Sequence, residues 1–294
     1  MFFKIGRNSF LRLIDDETYL KLLFKTNLGY NLNLDNSHTF NEKLQWLKIH
    51  DRKPIYSKMV DKIEVKKIVE SIIGKEYIIP TLGVWDKVDD IDFDRLPKQF
   101  VLKCSHDSGG LVIYRDKRLL DIERTKDSLK KCMKQNFYWV GREWPYKNVK
   151  PRVLAEQYME DYNENNVDLT RGLVDYKFFC FNGIPNLLYV SKGLENHSTA
   201  QISFYGMDGI EKEFHRSDYK PYHNAIMPIN LEEMIIIAEK LARKVDSPFV
   251  RIDLYSINGK IYFSEITFSP CSGMIPFDPP YFDLTLGNEL VLPI

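Results

Sequence analysis

The sequence has no excess of charge of either sign. It contains 41 Lys and Arg and 41 Asp and Glu residues, so its formal net charge at pH 7 is zero. A general nucleic-acid-binding protein normally carries a basic surplus, and we therefore predict no nucleic-acid partner. Hydrophobic residues make up 44% of the 294 positions. That share predicts a globular chain with enough apolar material for two domains, or for one composite domain with a cleft.

Cysteine is scarce, and long apolar runs are absent. The four cysteines are Cys104, Cys132, Cys180 and Cys271. They form no C-x-x-C pair and fit no zinc spacing, so reduced, partly buried thiols are expected. Lys4, Arg7 and Arg12 interrupt the apolar start, and no later stretch reaches the length that spans a membrane. We therefore predict a cytoplasmic protein without a transmembrane segment, and peripheral association with a membrane-bound complex stays open.

The common phosphate-binding motifs, Walker A and G-x-G-x-x-G, are also missing. In their place, a strand ending near Lys103 leads into a loop that contains Ser108, Gly109 and Gly110. A lysine ammonium suits a phosphate oxygen, and a loop of small residues lets backbone N–H groups approach phosphates closely. Taken alone, however, this segment is explained more simply by an ordinary hairpin with an exposed lysine.

Helical patterns dominate the first quarter of the chain. Residues 39–42 have a capping-box pattern, and apolar residues recur at helical spacing through 61–74, with Gly74 as a stop. From about residue 77, short strand patterns linked by turns follow, and Asn230 is expected to cap a helix that runs to about Val245. This mixture predicts an α+β fold rather than a doubly wound parallel sheet.

A second candidate segment joins an apolar strand to a carboxylate. Glu156 is followed by Gln157, Tyr158 and Met159, which could offer backbone groups and an apolar wall to an adenine ring. A plain strand end explains the same letters.

Asp175 and Lys177 share one face of a predicted strand. They could form a surface ion pair that contributes little stability. They could instead face a cleft, with Asp175 on ribose hydroxyls and Lys177 on a phosphate.

The most informative pattern is a hairpin near the end of the chain. Arg251 and Asp253 share a face of one strand, and Glu265 and Thr267 share a face of the next. Carboxylate oxygens from adjacent strands suit magnesium, which usually takes one or two carboxylates together with nucleotide phosphates. An arginine nearby could stabilise charge on a phosphoryl group during transfer. The polar faces of an exposed hairpin are an equally good explanation of this segment alone.

Two turn lengths are open for this hairpin. A two-residue turn at Asn258 and Gly259 is favoured by propensity, but it would place Glu265 on the face opposite to Asp253. A three-residue loop would pair Arg251 with Glu265 and bring both carboxylates to one face. We predict the three-residue loop, because only that register lets both carboxylates reach one magnesium ion.

Taken in order, these segments resemble the ATP-grasp superfamily, and more closely its TupA-like branch. The likeness covers the chain from about residue 39, including residues 39–47, 175–183 and 265–273. It implies an ATP-grasp fold of two α+β subdomains around a nucleotide cleft. The expected division is a mainly helical region (1–75), a first subdomain with the glycine-rich loop (76–155), and a second subdomain with the metal-binding hairpin (156–294).

The resemblance also implies roles for the candidate residues. Lys62 and Lys103 would hold the phosphates of ATP under the loop at 108–110, and the backbone at 157–159 would hold adenine, with Glu156 at the same hinge. Asp253 and Glu265 would bind Mg²⁺. Many family members have Asn two residues after the glutamate, whereas this chain has Thr267, a poorer magnesium ligand.

The reaction implied is carboxylate–amine ligation through an acyl phosphate, with an ADP product. Lys177 and Arg251 would act in catalysis by neutralising charge. The carboxylate would belong to a uronic acid or an amino acid, the acceptor would be an amine, and the setting would be bacterial surface-polysaccharide biosynthesis beside other assembly enzymes.

Three alternatives remain open at this point. A protein-kinase-like enzyme would need a D-F-G motif, which is absent, and residues 215–218 only approximate H-R-D. A glycosyltransferase would need a D-x-D metal site, and the letters of residues 90–94 match one within an acidic run. A degenerate ATP-binding scaffold without activity is supported by Thr267.

Overall fold

A computed structural model describes residues 9–107, 110–162, 172–194 and 199–293. Its α-helices are α1 (Asp16–Leu28), α2 (Phe40–His50), α3 (Ile55–Val60), α4 (Glu64–Ile73), α5 (Ile122–Met133), α6 (Tyr138–Gly141), α7 (Leu231–Val245) and α8 (Phe282–Glu289). Its strands are β1 (Thr81–Trp85), β2 (Phe100–Cys104), β3 (Leu111–Tyr114), β4 (Val153–Gln157), β5 (Asp175–Phe181), β6 (Ile184–Lys192), β7 (Gln201–Tyr205), β8 (His215–Arg216), β9 (Phe249–Ile257), β10 (Lys260–Thr267) and β11 (Phe277–Asp278). Short 3₁₀ segments include Trp144–Tyr146 and Pro270–Gly273.

The helices predicted for the first quarter of the chain are present in the structure. Thr39 and Glu42 make the reciprocal capping box at the start of α2, and α4 ends at Gly74, whose φ of 112° favours glycine. The helix predicted to reach Val245 is α7, but the Asn230 side chain makes no capping hydrogen bond, so that part of the prediction is wrong.

The first sheet is antiparallel, with strand order β1-β4-β2-β3. Its buried face packs Phe100 and Leu102 against Leu129 of α5. One face of the central strands β2 and β4 lines the cleft described below. Glu156 of β4 pairs with Val101 of β2, two residues before Lys103, so both charged side chains lie on that face.

The second sheet is also antiparallel, with strand order β10-β9-β5-β6-β7. One face is mainly apolar and packs Phe178, Ile252 and Leu254 against α7 and α4. The other face is split. Phe179 and Phe249 join an aromatic cluster around Phe40, while the positions nearer the cleft carry charged side chains.

The mixture of helices and antiparallel sheets confirms the predicted α+β class. The three-part division at residues 75 and 155 stays a prediction. Within the described ranges, no helix combines the length and apolarity needed to cross a bilayer.

Candidate active site

A cleft of about 350 Å³ lies between the two sheets. It brings together most of the residues singled out from the sequence: Lys62, Lys103, Gly110, Glu156, Gln157, Tyr158, Met159, Asp175, Lys177 and Glu265. Apolar side chains from the first sheet, including Val101 and Ile113, add a wall suited to a flat ring. The predictions for Ser108 and Gly109 fall outside the described residues.

On the wall formed by the first sheet, one buried carboxylate holds two lysines. Glu156 is only 5% exposed, and its two oxygens lie 2.5 Å from Lys66 Nζ and 2.6 Å from Lys103 Nζ. Burial alone would raise the pKa of Glu156, but the two lysines outweigh it and hold the pKa at about 2. We call Lys66, Lys103 and Glu156 the Glu156 network.

Lys66 is the residue of this wall that the sequence analysis missed. It lies four positions after Lys62, and it also donates hydrogen bonds to Ile79 O and Thr81 Oγ1. Lys62 precedes α4, so the two lysines share no helix face, and the contacts of Lys66 come from tertiary packing rather than from a local sequence signal.

Lys62 lies beside the glycine-rich loop. Its ammonium donates to the backbone oxygen of Asp107 at 2.5 Å, and its backbone N–H donates to Ser105 O at 3.1 Å. The lysine is thus held against the described edge of the loop and still borders the cleft.

On the wall formed by the second sheet, charged side chains stand in a row across adjacent strands. Lys177 of β5 is paired in register with Asp253 of β9, which is paired with Glu265 of β10. Lys177 Nζ lies 2.9 Å from Asp175 Oδ1 and 2.8 Å from Asp253 Oδ2. Lys177 is 6% exposed, so this is a buried pair rather than a surface pair.

Arg251 connects the remaining members of this row. It donates to both oxygens of Asp253 at 2.6 Å, to Glu265 Oε1 at 2.9 Å and to Thr267 Oγ1 at 3.1 Å. We call this set the Asp253 network: Asp175, Lys177, Arg251, Asp253, Glu265 and Thr267.

The two carboxylates predicted to bind a metal have opposite electrostatic settings. Burial raises the pKa of Asp253, which is fully enclosed, although Arg251 and Lys177 act against that rise. Burial also disfavours charge on Glu265, but Arg251, Lys62 and Lys177 hold its pKa at about 2. Glu265, whose side chain is 34% exposed, is therefore the anion that the network presents to the cleft.

The register of the hairpin corrects the predicted loop length. Ile257 pairs with Lys260, so the turn has two residues, Asn258 and Gly259, with φ values of 51° and 74°. The prediction of a three-residue loop pairing Arg251 with Glu265 was wrong. Arg251 pairs instead with Thr267.

Both carboxylates nevertheless reach the same face, because the register shifts between Phe263 and Glu265. Ser264 is the extra residue of this β-bulge, which moves Glu265 opposite Asp253. The sequence held a signal for the bulge. Core residues of β10 are Ile261 and Phe263 before it but Ile266 after it, so the alternation changes parity.

The oxygen donors fit magnesium held mainly through nucleotide phosphates. Both hydrogen bonds that Glu265 accepts within the described residues end on Oε1. Asp253 has both oxygens engaged by Arg251 or Lys177 and would have to exchange a partner to bind a cation. In the described ranges no three His, Cys, Asp or Glu side chains form a metal-binding group.

Thr267 has a definite position in this arrangement. Its hydroxyl accepts from Arg251 and donates to Glu265 Oε1 at 3.2 Å. It orients the carboxylate and the guanidinium, which a hydroxyl can do without binding metal directly.

A comparison with protein-family models identifies the family of this chain. A sequence model described as TupA-like ATPgrasp matches residues 42–291. The chain belongs to the TupA-like ATP-grasp family. A search among curated proteins found no match to this TupA-like chain.

Three solved structures illustrate what the TupA-like chain is similar to. D-alanine–D-alanine ligase from Bacillus anthracis, complexed with ATP, is 19% identical with a TM-score of 0.40, over 72% of this chain and 55% of that one. N5-carboxyaminoimidazole ribonucleotide synthetase, complexed with ADP, is 12% identical with a TM-score of 0.45, over 86% and 56%. The ATP-grasp ligase PsnB, complexed with a precursor variant, Mg and ADP, is 10% identical with a TM-score of 0.44, over 85% and 64%. The TupA-like chain thus spans about three fifths of the length of these structures.

Proposed function

We propose that this protein is an ATP- and Mg²⁺-dependent carboxylate–amine ligase that acts through an acyl phosphate. The observation that carries the proposal is the pair of facing charge networks. On one wall Lys103 lines the cleft and shares the Glu156 carboxylate with Lys66. On the other wall Glu265 lines the cleft beside the ion pairs of Asp253 with Arg251 and Lys177.

The first wall supports nucleotide binding. Lys103 and Lys62 border the cleft beside the glycine-rich segment, where they would contact phosphate oxygens. Tyr158 and Met159 lie where β4 leaves the sheet, and their backbone and side chains would hold adenine. Asp175 lies on the opposite wall and would accept hydrogen bonds from ribose.

The second wall supports phosphoryl transfer. Glu265 and Asp253 would hold magnesium, which supplies charge neutralisation between the nucleotide and the carboxylate substrate. Arg251 and Lys177 are fixed by buried ion pairs, and they would stabilise the negative charge that accumulates when two anions meet. The Thr267 hydroxyl hydrogen-bonds to both Glu265 and Arg251 and so fixes their relative positions.

We further propose that the substrate acid is a uronic acid or an amino acid, that the acceptor is a primary amine, and that the product belongs to bacterial surface-polysaccharide synthesis in the cytoplasm. The TupA-like likeness supports this choice.

The test is a hydroxylamine-trapping screen. Purified protein, ATP and Mg²⁺ are incubated with a panel of uronic acids and amino acids, and hydroxylamine captures any acyl phosphate as a hydroxamate. We expect acid-dependent hydroxamate with stoichiometric ADP. Release of AMP and pyrophosphate would show adenylation instead, and absence of hydroxamate with every acid would favour a scaffold without ligase activity.

The structure disfavours the other two alternatives. The acidic run at residues 90–94 does not border the cleft, and Asp92 caps a short 3₁₀ turn and pairs with Arg95. The H-R-D-like residues are structural as well, since Arg216 forms a bidentate pair with Asp218 at 2.6–2.8 Å.

A further inference from the structure

The glycine-rich loop contacts the C-terminal end of α5, and this contact has no part in the scheme above. Asp107 and Gly110 flank positions 108 and 109 of the loop, and both line the cleft. Cys132 belongs to the last turn of α5 and is 7% exposed. It lies in the apolar cluster that packs on the buried face of the first sheet, so it approaches the loop from that side.

The sulfur of Cys132 contacts the loop on both flanks. Before the loop positions, the thiol donates a hydrogen bond to Asp107 Oδ2, with sulfur and oxygen 3.1 Å apart. After them, a Cβ atom added to Gly110 would overlap Cys132 Sγ and lie 3.3 Å from Cys104 Sγ. Glycine is therefore needed at position 110 because a sulfur atom packs directly against its backbone.

Neighbouring contacts hold the same segment. His106 is 2% exposed, and its Nε2 lies 3.0 Å from Gln135 O, just beyond the end of α5. Lys62 donates to the backbone oxygen of Asp107 from the other side. Asp107 is thus held by Lys62 through its backbone and by Cys132 through its carboxylate.

The Cys132 thiol is suited to act as a donor. Hydrogen bonding with Cys104 and burial both raise the pKa of the Cys132 thiol, so it stays protonated at neutral pH. A protonated thiol can donate to a carboxylate oxygen, whereas a thiolate would repel it.

The Asp107 carboxylate is a negative charge in a loop that would cover negatively charged phosphates. Like charges at short range repel each other, so ATP binding depends on where this carboxylate points. Its hydrogen bond with Cys132 directs Oδ2 towards α5. Without the thiol, the side chain would be free to rotate towards the cleft, where it would oppose the phosphates.

We propose that Cys132 is a positioning residue for ATP, which holds the glycine-rich loop at Asp107 and Gly110 and keeps the Asp107 carboxylate away from the phosphates. This inference rests on the proposed function, because it requires that the loop covers the phosphates of ATP. Cys132 itself does not line the cleft, so it acts through Asp107 and Gly110 rather than by touching the nucleotide.

The first experiment compares Cys132→Ala with Cys132→Ser, which keeps a donor for Asp107. We expect Cys132→Ala to weaken ATP binding about tenfold by calorimetry, and Cys132→Ser to stay within about twofold of the unmodified protein. Binding of adenosine, which has no phosphates, should be unchanged in both variants by ligand-detected NMR. Cys180→Ala removes a buried thiol from the second sheet, and this matched control should leave both affinities unchanged.

The second experiment tests the contact with Gly110. Gly110→Ala places a methyl group against Cys132 Sγ and should weaken ATP binding about 30-fold. In the Cys132→Ala background the sulfur is gone, so the same methyl group has room. We expect the combined variant to bind ATP no more weakly than Gly110→Ala alone, since residues in contact have non-additive effects. Thermal unfolding checks that every variant is folded at the temperature of the titration.

Three results would overturn the inference from the first experiment. They are unchanged ATP affinity in Cys132→Ala, an equal loss in Cys132→Ser, and a loss of adenosine binding that matches the loss of ATP binding. An equal loss in Cys180→Ala, or losses that add in the combined variant, would assign Cys132 to the general stability of the core and overturn the inference as well. If the unmodified protein binds ATP but forms no hydroxamate, the ligase proposal fails and the role of Cys132 stands. If it binds no ATP, both fail.

Discussion

The two walls of the cleft carry net charges of opposite sign. The Glu156 network has two lysines and one carboxylate, so it leaves a positive excess facing the nucleotide. The Asp253 network has two cations and three carboxylates, so it leaves a negative excess at Glu265. A phosphate can bind the first wall directly, whereas it can approach the second only with a cation between them. Under the proposed function, magnesium would therefore be needed at the second wall and not at the first.

The largest effect is expected from Glu265→Gln. Loss of the exposed carboxylate removes the excess negative charge of the second wall and leaves Arg251 with one partner fewer. We expect Mg²⁺-dependent ADP release to fall by at least about 100-fold, measured by coupled assay over a magnesium titration. Binding of ATP without magnesium should be unchanged by calorimetry. If turnover and its magnesium dependence are retained, the assignment of the metal to this wall is wrong.

The next largest effect, a loss of ATP affinity, is expected from Lys103→Ala. It is compared with Lys66→Met, a change at the other lysine that pairs with Glu156. Lys103 borders the cleft, so its loss should weaken ATP binding about 10- to 100-fold, which corresponds to about 1.4–2.8 kcal/mol. Lys66 is further from solvent and also holds Ile79 O, so Lys66→Met should weaken ATP binding less and lower the thermal stability more. Calorimetry and thermal unfolding distinguish the two. Equal affinity losses would show that both lysines contact the nucleotide.

A third prediction uses pH. The pKa of Glu156 is lowered from its ordinary value of 4.5 to about 2 in the folded protein. The stability that this shift contributes is therefore fully present above pH 4.5 and is lost as the pH falls towards 2. Glu156→Gln should flatten the dependence of the unfolding free energy on pH in that window, measured by urea unfolding. Glu232→Gln, on the exposed face of α7, should leave the slope as it is.

The smallest effect is expected in the turn of the metal hairpin. Asn258 has a left-handed backbone with φ of 51°, and its side chain donates to Glu160 O at 3.1 Å and accepts from the Tyr162 N–H at 2.9 Å. Asn258→Ala should cost about 1 kcal/mol of unfolding free energy, with ATP affinity unchanged. A large loss of turnover would mean that the turn itself positions Glu265.

The sequence patterns predicted the helices and strands better than they predicted the contacts between side chains. The capping box at Thr39, the helix stop at Gly74 and the alternation in β9 each depend on local backbone preferences, and all three are present. The pairing of Glu156 with Lys66 and Lys103 joins α4, β2 and β4. Such a contact depends on tertiary packing, and no local pattern encodes it.

In the hairpin of β9 and β10, the local sequence signal was right and the prediction made from the expected metal chemistry was wrong. The Asn-Gly turn signal at residues 258–259 pointed to the observed two-residue turn, but the expected metal chemistry led to a different loop. The functional argument was right about the shared face and wrong about its cause. A single extra residue at Ser264 supplied what the longer loop was predicted to supply.

Ser264 is the residue of this hairpin that the ladder can lose. A relative with the same two-residue turn and no residue at the position of Ser264 would keep every pairing from Ile257–Lys260 to Arg251–Thr267, now in an unbroken antiparallel register. An alignment of the two would contain a single one-residue gap, and a gap placed anywhere else in the hairpin would align the wrong residues with part of β10. A library of loop variants built on this chain should therefore include the deletion of Ser264, which leaves Glu265 opposite Asp253.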